Sequence, residues 1–396
     1  MRVLLITGEF PPQPGGVGDY TDRLAAALAD QGHVVAVLTS APRPAVASTH
    51  GDAVWANREG ATVWRSVRRW DLRAWRTLAA RIKAWHPDVV HFQYQAAAYG
   101  LGGAVTLYPW LLRMWNIRPL SVVTFHDLLP PHTFPLSGRL GWDRRAVAWL
   151  GHGADAAIAT NAADAQRLVT VRTRRVWQIP IGANIPVVAA PPGSMDIRSH
   201  YGLAPGAPLL AYFGFFNASK GLEELLTVFA GLERQIPNAR LLLIGGGVGE
   251  TDPTNRQFAA RLQRHAENLG LADRLIWTGY VDATGVSLHL QAADLIALPF
   301  RDGVSLRRGT LMAALSHGCA IVSTHATTSV SELGAAVLLC RANDPADLQR
   351  AIVEALDPAV GTRLRREARS VAAQFSWEAI AASHTHIYRA LCHSGC

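Results

Sequence analysis

Two parallel α/β sheets in series, each wound with helices on both faces, are the fold class the sequence predicts, and three observations carry it. Short apolar runs (RVLLI, HVVAVLTS, DVVHFQ, LSVVTFHD, DAAIAT, RVWQIPI) alternate with amphipathic segments through the first half, as strands buried on both faces and joined by helical crossovers do. The alternation gives way to a Pro- and Gly-rich stretch between Pro186 and Pro205, then restarts with PLLAYFGFF, RLLLIGGG, LIWTGY, DLIALPF, AIVST and AVLLC. A chain of 396 residues, 49% hydrophobic and 17% charged, has enough apolar material for two domains with full cores. The expected division is a Rossmann-like domain over residues 1–187, a second over 188–375, and a C-terminal helix over 376–396. Two such sheets facing across a cleft would take ligands at the carboxyl ends of their strands.

Composition narrows the function. The net charge of +8 favours anionic partners. No stretch is long and apolar enough to span a bilayer, and the segment from Met1 to Gly8 reads as a first strand entering a loop rather than as a leader, so a cytoplasmic location is expected. The four cysteines (Cys319, Cys340, Cys392, Cys396) fit neither a zinc site nor a disulfide framework. A nicotinamide enzyme is disfavoured, because no GxGxxG follows the first strand and no acidic residue closes VVAVLTS.

The candidate site residues lie at strand ends. Gly15 and Gly16 (PPQPGGVGDY) occupy the first strand-to-helix loop, where glycines let backbone N–H groups approach a phosphate. In FGFFNASKG, Gly214, Asn217 and Lys220 join the first strand of the second half to its helix. Lys220 is one of only two lysines, and a cation at a helix N-terminus calls for an anion. Gly245, Gly246 and Gly247 end RLLLI, while Tyr280 and Val281 follow LIWTG, where a base could stack. The loop Arg301, Asp302, Gly303, Val304, Ser305, Leu306, Arg307, Arg308 precedes a helix expected to be N-capped by Thr310. Its three arginines oppose the helix dipole unless a pyrophosphate relieves them. His126 ends LSVVTFHD, where a histidine can orient a hydroxyl. From Trp64 to Trp85, tryptophans alternate with arginines, a composition that suits a helix at an anionic membrane surface and equally one packed inward.

These residues carry a resemblance that spans nearly the whole chain. GGVGDY, FHD, IPIGANI, FGFFNASKGLEELL, LLLIGGG, GYV, AADLIALPF and FSWEAIAASHTHIYRAL together resemble the retaining GT-B glycosyltransferases of family 4 (group 1). The resemblance implies sugar transfer from a nucleotide-diphosphate donor with retention of anomeric configuration, the donor on the second domain and the acceptor mainly on the first. No metal or other cofactor and no nucleic acid are expected. It also implies an Arg and a Lys on the diphosphate; here Lys220 matches the Lys and Phe215 stands at the Arg position, so Arg301, Arg307 or Arg308 would compensate. The family's two glutamates, with seven residues between them, fall on Ser305 and Ala313, with Asp302 as a substitute for the first that would hold the sugar. The acceptor expected is lipid-linked or otherwise anionic, with peripheral membrane contact through 64–85 at the inner membrane face and a soluble sugar as the alternative. A degenerate scaffold that binds without turnover is the competing function.

Overall fold

The computed structural model describes the chain outside residues 14, 43–53, 59, 116–118, 131–141, 191–195, 247–252, 327–329 and 394–396, so Gly247 and Cys396 lie outside the described residues. It divides into two units, Met1–Gly182 with Ser376–Cys396, and Ala183–Phe375. The first boundary falls earlier than residue 187 because Gly182 is pressed against the C-terminal helix, where an added Cβ would lie 2.8 Å from the Trp377 ring.

In the first unit the strands are β1 (Arg2–Ile6), β2 (Val34–Ser40), β3 (Val54–Arg58), β4 (Ala61–Val67), β5 (Val89–Tyr94), β6 (Leu120–Phe125), β7 (Ala156–Ala159) and β8 (Val176–Gln178). They form one sheet in the order β3-β4-β2-β1-β5-β6-β7-β8. All neighbours are parallel except β3, which pairs antiparallel with β4 at the edge. The helices are α1 (Gly16–Asp30), α2 (Ala74–Trp85), α3 (Tyr108–Arg113), α4 (Trp142–Gly153) and α5 (Ala162–Thr170). β1 shows why both faces are covered: Leu4 and Ile6 enter one core cluster with α2 and α4 residues, while Val3 and Leu5 enter another with α1 residues, as the two-residue strand period requires.

The second unit contains α6 (Ile197–His200), β9 (Leu209–Phe213), α7 (Leu222–Gly231), β10 (Arg240–Ile244), α8 (Pro253–Asn268), β11 (Leu275–Gly279), α9 (Ala283–Ala292), β12 (Leu295–Leu298), α10 (Gly309–Ser316), β13 (Ile321–Thr324), β14 (Leu338–Cys340), α11 (Pro345–Leu356) and α12 (Pro358–Ala373). Its sheet runs β11-β10-β9-β12-β13-β14, parallel throughout. The last helix, α13 (Trp377–His393), buries Ile380, Ala381, His384, Ile387, Tyr388 and Leu391 at helical spacing and packs beside α1 in the first unit.

Two local expectations need correction. The Pro- and Gly-rich stretch between Pro186 and Pro205, whose composition reads as a linker, contains α6, capped by Asp196 accepting from Ser199 N. It is fastened through Arg198, which pairs with Asp294 at 3.1 Å. The Trp/Arg segment 64–85 is no single helix. It is the end of β4, a loop and α2, and its tryptophans turn inward: Trp64 and Trp70 are buried, Trp70 packs edge-on to Tyr99, Trp75 contacts Tyr108 and Trp115, and Trp85 packs edge-on to Trp64. Arg81 lies over Trp64 and Arg2 over Trp85, so aromatic area that could have met a bilayer is spent on the core and on cation–π contacts.

Candidate active site

In an open parallel sheet, the crevice lies where chain order reverses direction. In the second unit the chain runs from β9 outward to β10 and β11, then returns to place β12 on the other side of β9. The switch point is therefore between β9 and β12. The loop after β9 carries Lys220, and the loop after β12 carries Arg301 to Arg308.

The β9 loop is built for close approach. Gly214, at φ 142°, would bring a Cβ to 3.0 Å from Thr310 Cγ2, and a Cβ on Gly245 would lie 2.7 Å from the Gly214 carbonyl oxygen. Phe216 N donates to Gly246 O at 3.2 Å, so the ends of β9 and β10 are tied together. Asn217 caps the following 3₁₀ turn, accepting from Ser219 N at 3.1 Å and Ser219 Oγ at 2.7 Å. That turn, Ala218–Lys220, delivers Lys220 to the start of α7. Gly221 sits at φ 69°, and a Cβ there would stand 2.0 Å from Pro299 O. Gly221→Ala is accordingly expected to destabilise the protein by about 3 kcal/mol, from left-handed strain plus a backbone collision. Thermal unfolding checks this, and an unchanged Tm would contradict the close packing.

The β12 loop folds over Phe300. The Arg308 guanidinium carbon lies 4.0 Å from the centre of the Phe300 ring, and Lys220 Nζ lies 5.1 Å from the same centre. Asp302 pairs with Arg308. Burial, followed by the Arg308 charge, pushes the Lys220 ammonium down to about 8, with Asp302 opposing. Burial also lowers the Arg308 pKa. Two cations and one carboxylate leave a positive excess in a partly dehydrated place. Beside it, α10 begins with N–H groups that have no intrahelical acceptor and no side-chain cap. Arg308 Nε and Thr310 Oγ1 are buried without a hydrogen-bond partner among the described residues, which is costly unless something else pairs with them.

The other loop residues divide sharply. Arg301 does not join this cluster: its guanidinium pairs with Glu223 at 3.2 Å, whose other oxygen takes Arg261 at 3.4 Å. Arg308 rather than Thr310 occupies the N-cap position of α10, since the backbone turns helical two residues earlier than the hydroxyl suggested. Val304 and Leu306 are core anchors, 2% and 3% exposed. Gly303, at φ 83°, permits contact with His325 O and Ala326 Cα, each 2.5 Å from where a Cβ would stand. The Ser305 carbonyl accepts from Arg308 N at 3.1 Å, and Arg307 is exposed. Asp302, expected to hold a sugar, is engaged by Arg308. Ala313 is wholly buried in α10, so no carboxylate stands at that turn. The Tyr280 ring is 91% exposed beyond β11, with Val281 half-buried beside it; no hydrogen bond or ring contact among the described residues joins Tyr280 to the Lys220 cluster.

The first unit corrects the glycine loop. The N-terminus of α1 is already occupied by a carboxylate of the chain itself: Val17 N and Gly18 N donate to Glu9 Oε1 at 3.0 and 3.2 Å. Gly15 wraps this carboxylate so closely that a Cβ would lie 2.2 Å from it, whereas Gly16 is exposed and a Cβ there would meet nothing within 4 Å. The glycines alone suggest an outside anion; the sequence signal for an internal one is Glu9, an acidic residue in the same loop. His126, half-buried at the end of β6, donates from Nε2 to Gln93 Oε1 at 3.0 Å and lies edge-on to Tyr20 with ring centres 4.7 Å apart. Burial, helped by His384, drives its pKa down to about 3. The ring is neutral throughout the working range, an uncharged donor and acceptor rather than a source of protons. Among the described residues no three His, Cys, Asp or Glu side chains are grouped to hold a metal ion.

Comparison with known proteins decides the family. Residues 14–185 match Glycosyltransferase Family 4, and residues 207–358 match Glycosyl transferases group 1. The chain is a group 1 glycosyltransferase. This glycosyltransferase is 26% identical to glycogen synthase of Mycobacterium tuberculosis over 98% of its own length and 95% of that protein. It is 24% identical to the GDP-mannose-dependent alpha-(1-6)-phosphatidylinositol monomannoside mannosyltransferase of Mycolicibacterium smegmatis, over 76% of this chain and 72% of that one. Sucrose-phosphate synthase from Thermosynechococcus elongatus superposes with a TM-score of 0.77 at 22% identity and complete coverage of both chains, which establishes the GT-B fold.

Proposed function

We propose that this glycosyltransferase binds a nucleotide-diphosphate sugar on its second unit, with the diphosphate held by Lys220, Arg308, Thr310 Oγ1 and the opening N–H groups of α10. The observation that carries the reading is the convergence of Lys220 and Arg308 on one face-forming ring, Phe300, at an uncapped helix N-terminus. In transfer, negative charge grows on the departing diphosphate, and preorganised cations and N–H dipoles stabilise it without reorganisation. Two side-chain cations already stand at this position, so the reaction is read as metal-independent. Arg308 supplies the charge that Phe215 lacks. His126, neutral, is assigned to orienting a hydroxyl on the first unit. Retention of anomeric configuration rests on the family resemblance, and the anomeric proton coupling of the first-formed product, followed by NMR, tests it.

Binding without turnover is the second reading, favoured by Ser305 and the buried Ala313 where the resemblance implies glutamates. A donor that binds but is neither transferred nor hydrolysed, with any acceptor offered, would establish it.

The acceptor is read as anionic or lipid-linked. Arg68, Arg69, Arg73 and Arg76 are exposed around Leu72, which is 60% exposed, so contact with a bilayer would come from these arginines and not from the tryptophans. Flotation with phosphatidylglycerol-containing liposomes is expected to recover the protein at low salt, and to lose it at high salt or with Arg68→Ala and Arg69→Ala together. Recovery indifferent to lipid charge would contradict this.

A further inference from the structure

Parallel neighbours β5 and β6 end in Gln93-Tyr94-Gln95 and Phe125-His126-Asp127. Gln93, in β5, and Gln95, just beyond it, each take one residue of the adjacent end. Gln95 Nε2 donates to Asp127 Oδ2 at 3.0 Å, and Gln93 Oε1 lies 3.0 Å from His126 Nε2. Gln93 is completely buried, so its amide is held by packing. An amide oxygen only accepts, so the His126 nitrogen facing it carries the hydrogen, and Nδ1 keeps its lone pair.

Among the described residues the groups that face the ring are themselves engaged. Tyr20 of α1 lies edge-on to it. His384 of α13 donates from Nδ1 to Ile380 O at 2.8 Å, and His91 of β5 is engaged by Tyr388 Oη at 2.6 Å and Thr124 Oγ1 at 2.8 Å. The adjacent Asp127 carboxylate is held by Gln95 and by Leu129 N at 3.1 Å. Gln93 Nε2, Tyr20 Oη and His384 Nε2 are buried without partners among the described residues. Gln93 is thus buried with its amide NH2 unmet among the described residues, which a purely space-filling residue would avoid.

We propose that Gln93 is a positioning residue that locks His126 as the Nε2–H tautomer, leaving Nδ1 to accept a hydrogen bond from a substrate hydroxyl. This rests on the reading of His126 as the hydroxyl-orienting group. The reacting hydroxyl thereby meets an acceptor rather than a donor, and a substrate presenting an acceptor atom there is disfavoured.

Long-range proton–nitrogen NMR of protein labelled in its histidine rings tests it, with His126 assigned from His126→Gln. The parent is expected to show a protonated Nε2 and a bare Nδ1 from about pH 5 to 8. Gln93→Met, close in volume and without an acceptor, should lose that pattern and lower kcat about tenfold or more while leaving the donor KM unchanged. Gln93→Glu should restore the Nε2–H and let the ring take its second proton at a higher pH than in the parent, since a carboxylate favours the imidazolium. A parent ring protonated on Nδ1, or a tautomer unmoved by Gln93→Met in a protein that unfolds at the parent's temperature, would overturn the proposal. A tautomer that follows Gln93 while Gln93→Met and His126→Ala both turn over like the parent would overturn the positioning role together with the reading of His126. Loss of turnover in His126→Ala alone, with Gln93→Met fully active, would overturn only the role of Gln93.

Discussion

Lys220→Ala is expected to weaken nucleotide-sugar binding by roughly 100-fold, about 2–3 kcal/mol, the scale of a charged hydrogen bond made in a partly dehydrated site. Most of the effect should persist with the nucleoside diphosphate alone, because the contact is to phosphate and not to sugar. Folding should be little affected, since the ammonium has a ring and a repelling guanidinium for neighbours, and the Asp302 carboxylate that acts on it is paired with Arg308. A pH dependence follows. The lysine is pushed down to about 8, and its charged form is the one that binds an anion. Affinity should therefore hold below pH 8 and fall as pH rises through it, the bound diphosphate moving the midpoint upward. In Lys220→Ala that alkaline fall should vanish. Isothermal titration at several pH values reads both, and an alkaline fall of equal size in the variant would place the titrating group elsewhere.

Arg308→Ala should have a comparable effect on donor affinity, roughly 30- to 100-fold, because it removes a guanidinium and also frees the Asp302 carboxylate to repel the diphosphate. Arg308→Lys should recover only part of this, since an ammonium cannot both lie flat on Phe300 and fork toward an anion. Arg301→Ala supplies the contrast. Its guanidinium is paired with Glu223 on α7 at a partly exposed position, so donor affinity should stay within about threefold of the parent and stability should change by under about 1 kcal/mol. Equal losses from Arg301→Ala and Arg308→Ala would contradict the geometry, which separates the two residues.

That separation also marks how far the sequence could be read. Strand ends were legible, because buried parallel strands write themselves as apolar runs whose glycine-rich exits follow directly; the switch between β9 and β12 was not, because it is set by strand order. Lys220 stood out as a candidate because a lysine is rare in this chain and electrostatically out of place at a helix start. Which of three neighbouring arginines stands beside Lys220 over Phe300 was not legible, because that depends on Glu223, distant in sequence, drawing Arg301 away, and on Phe300 offering its ring to Arg308. The cap failed similarly: Thr310 had the right side chain for an N-cap, but the backbone becomes helical at Gly309, leaving the hydroxyl inside. The α1 loop misled in a different way. Its glycines do bring N–H groups to an anion, yet the anion is Glu9. Tryptophans among arginines read equally as membrane-facing or inward, and only packing against Tyr99, Tyr108 and Trp115 settles that they turn inward. Gln93 carried no sequence signal at all, since its partner is set by strand register.

The central claim is that Lys220 and Arg308 together form a diphosphate site at the start of α10. Calorimetric titration of UDP-, GDP-, ADP- and TDP-sugars into the parent protein, Lys220→Ala, Arg308→Ala and Arg301→Ala tests it most directly. One donor bound by the parent and by Arg301→Ala, and lost from the other two, is the predicted result. A donor bound equally well by Lys220→Ala and Arg308→Ala would contradict the account.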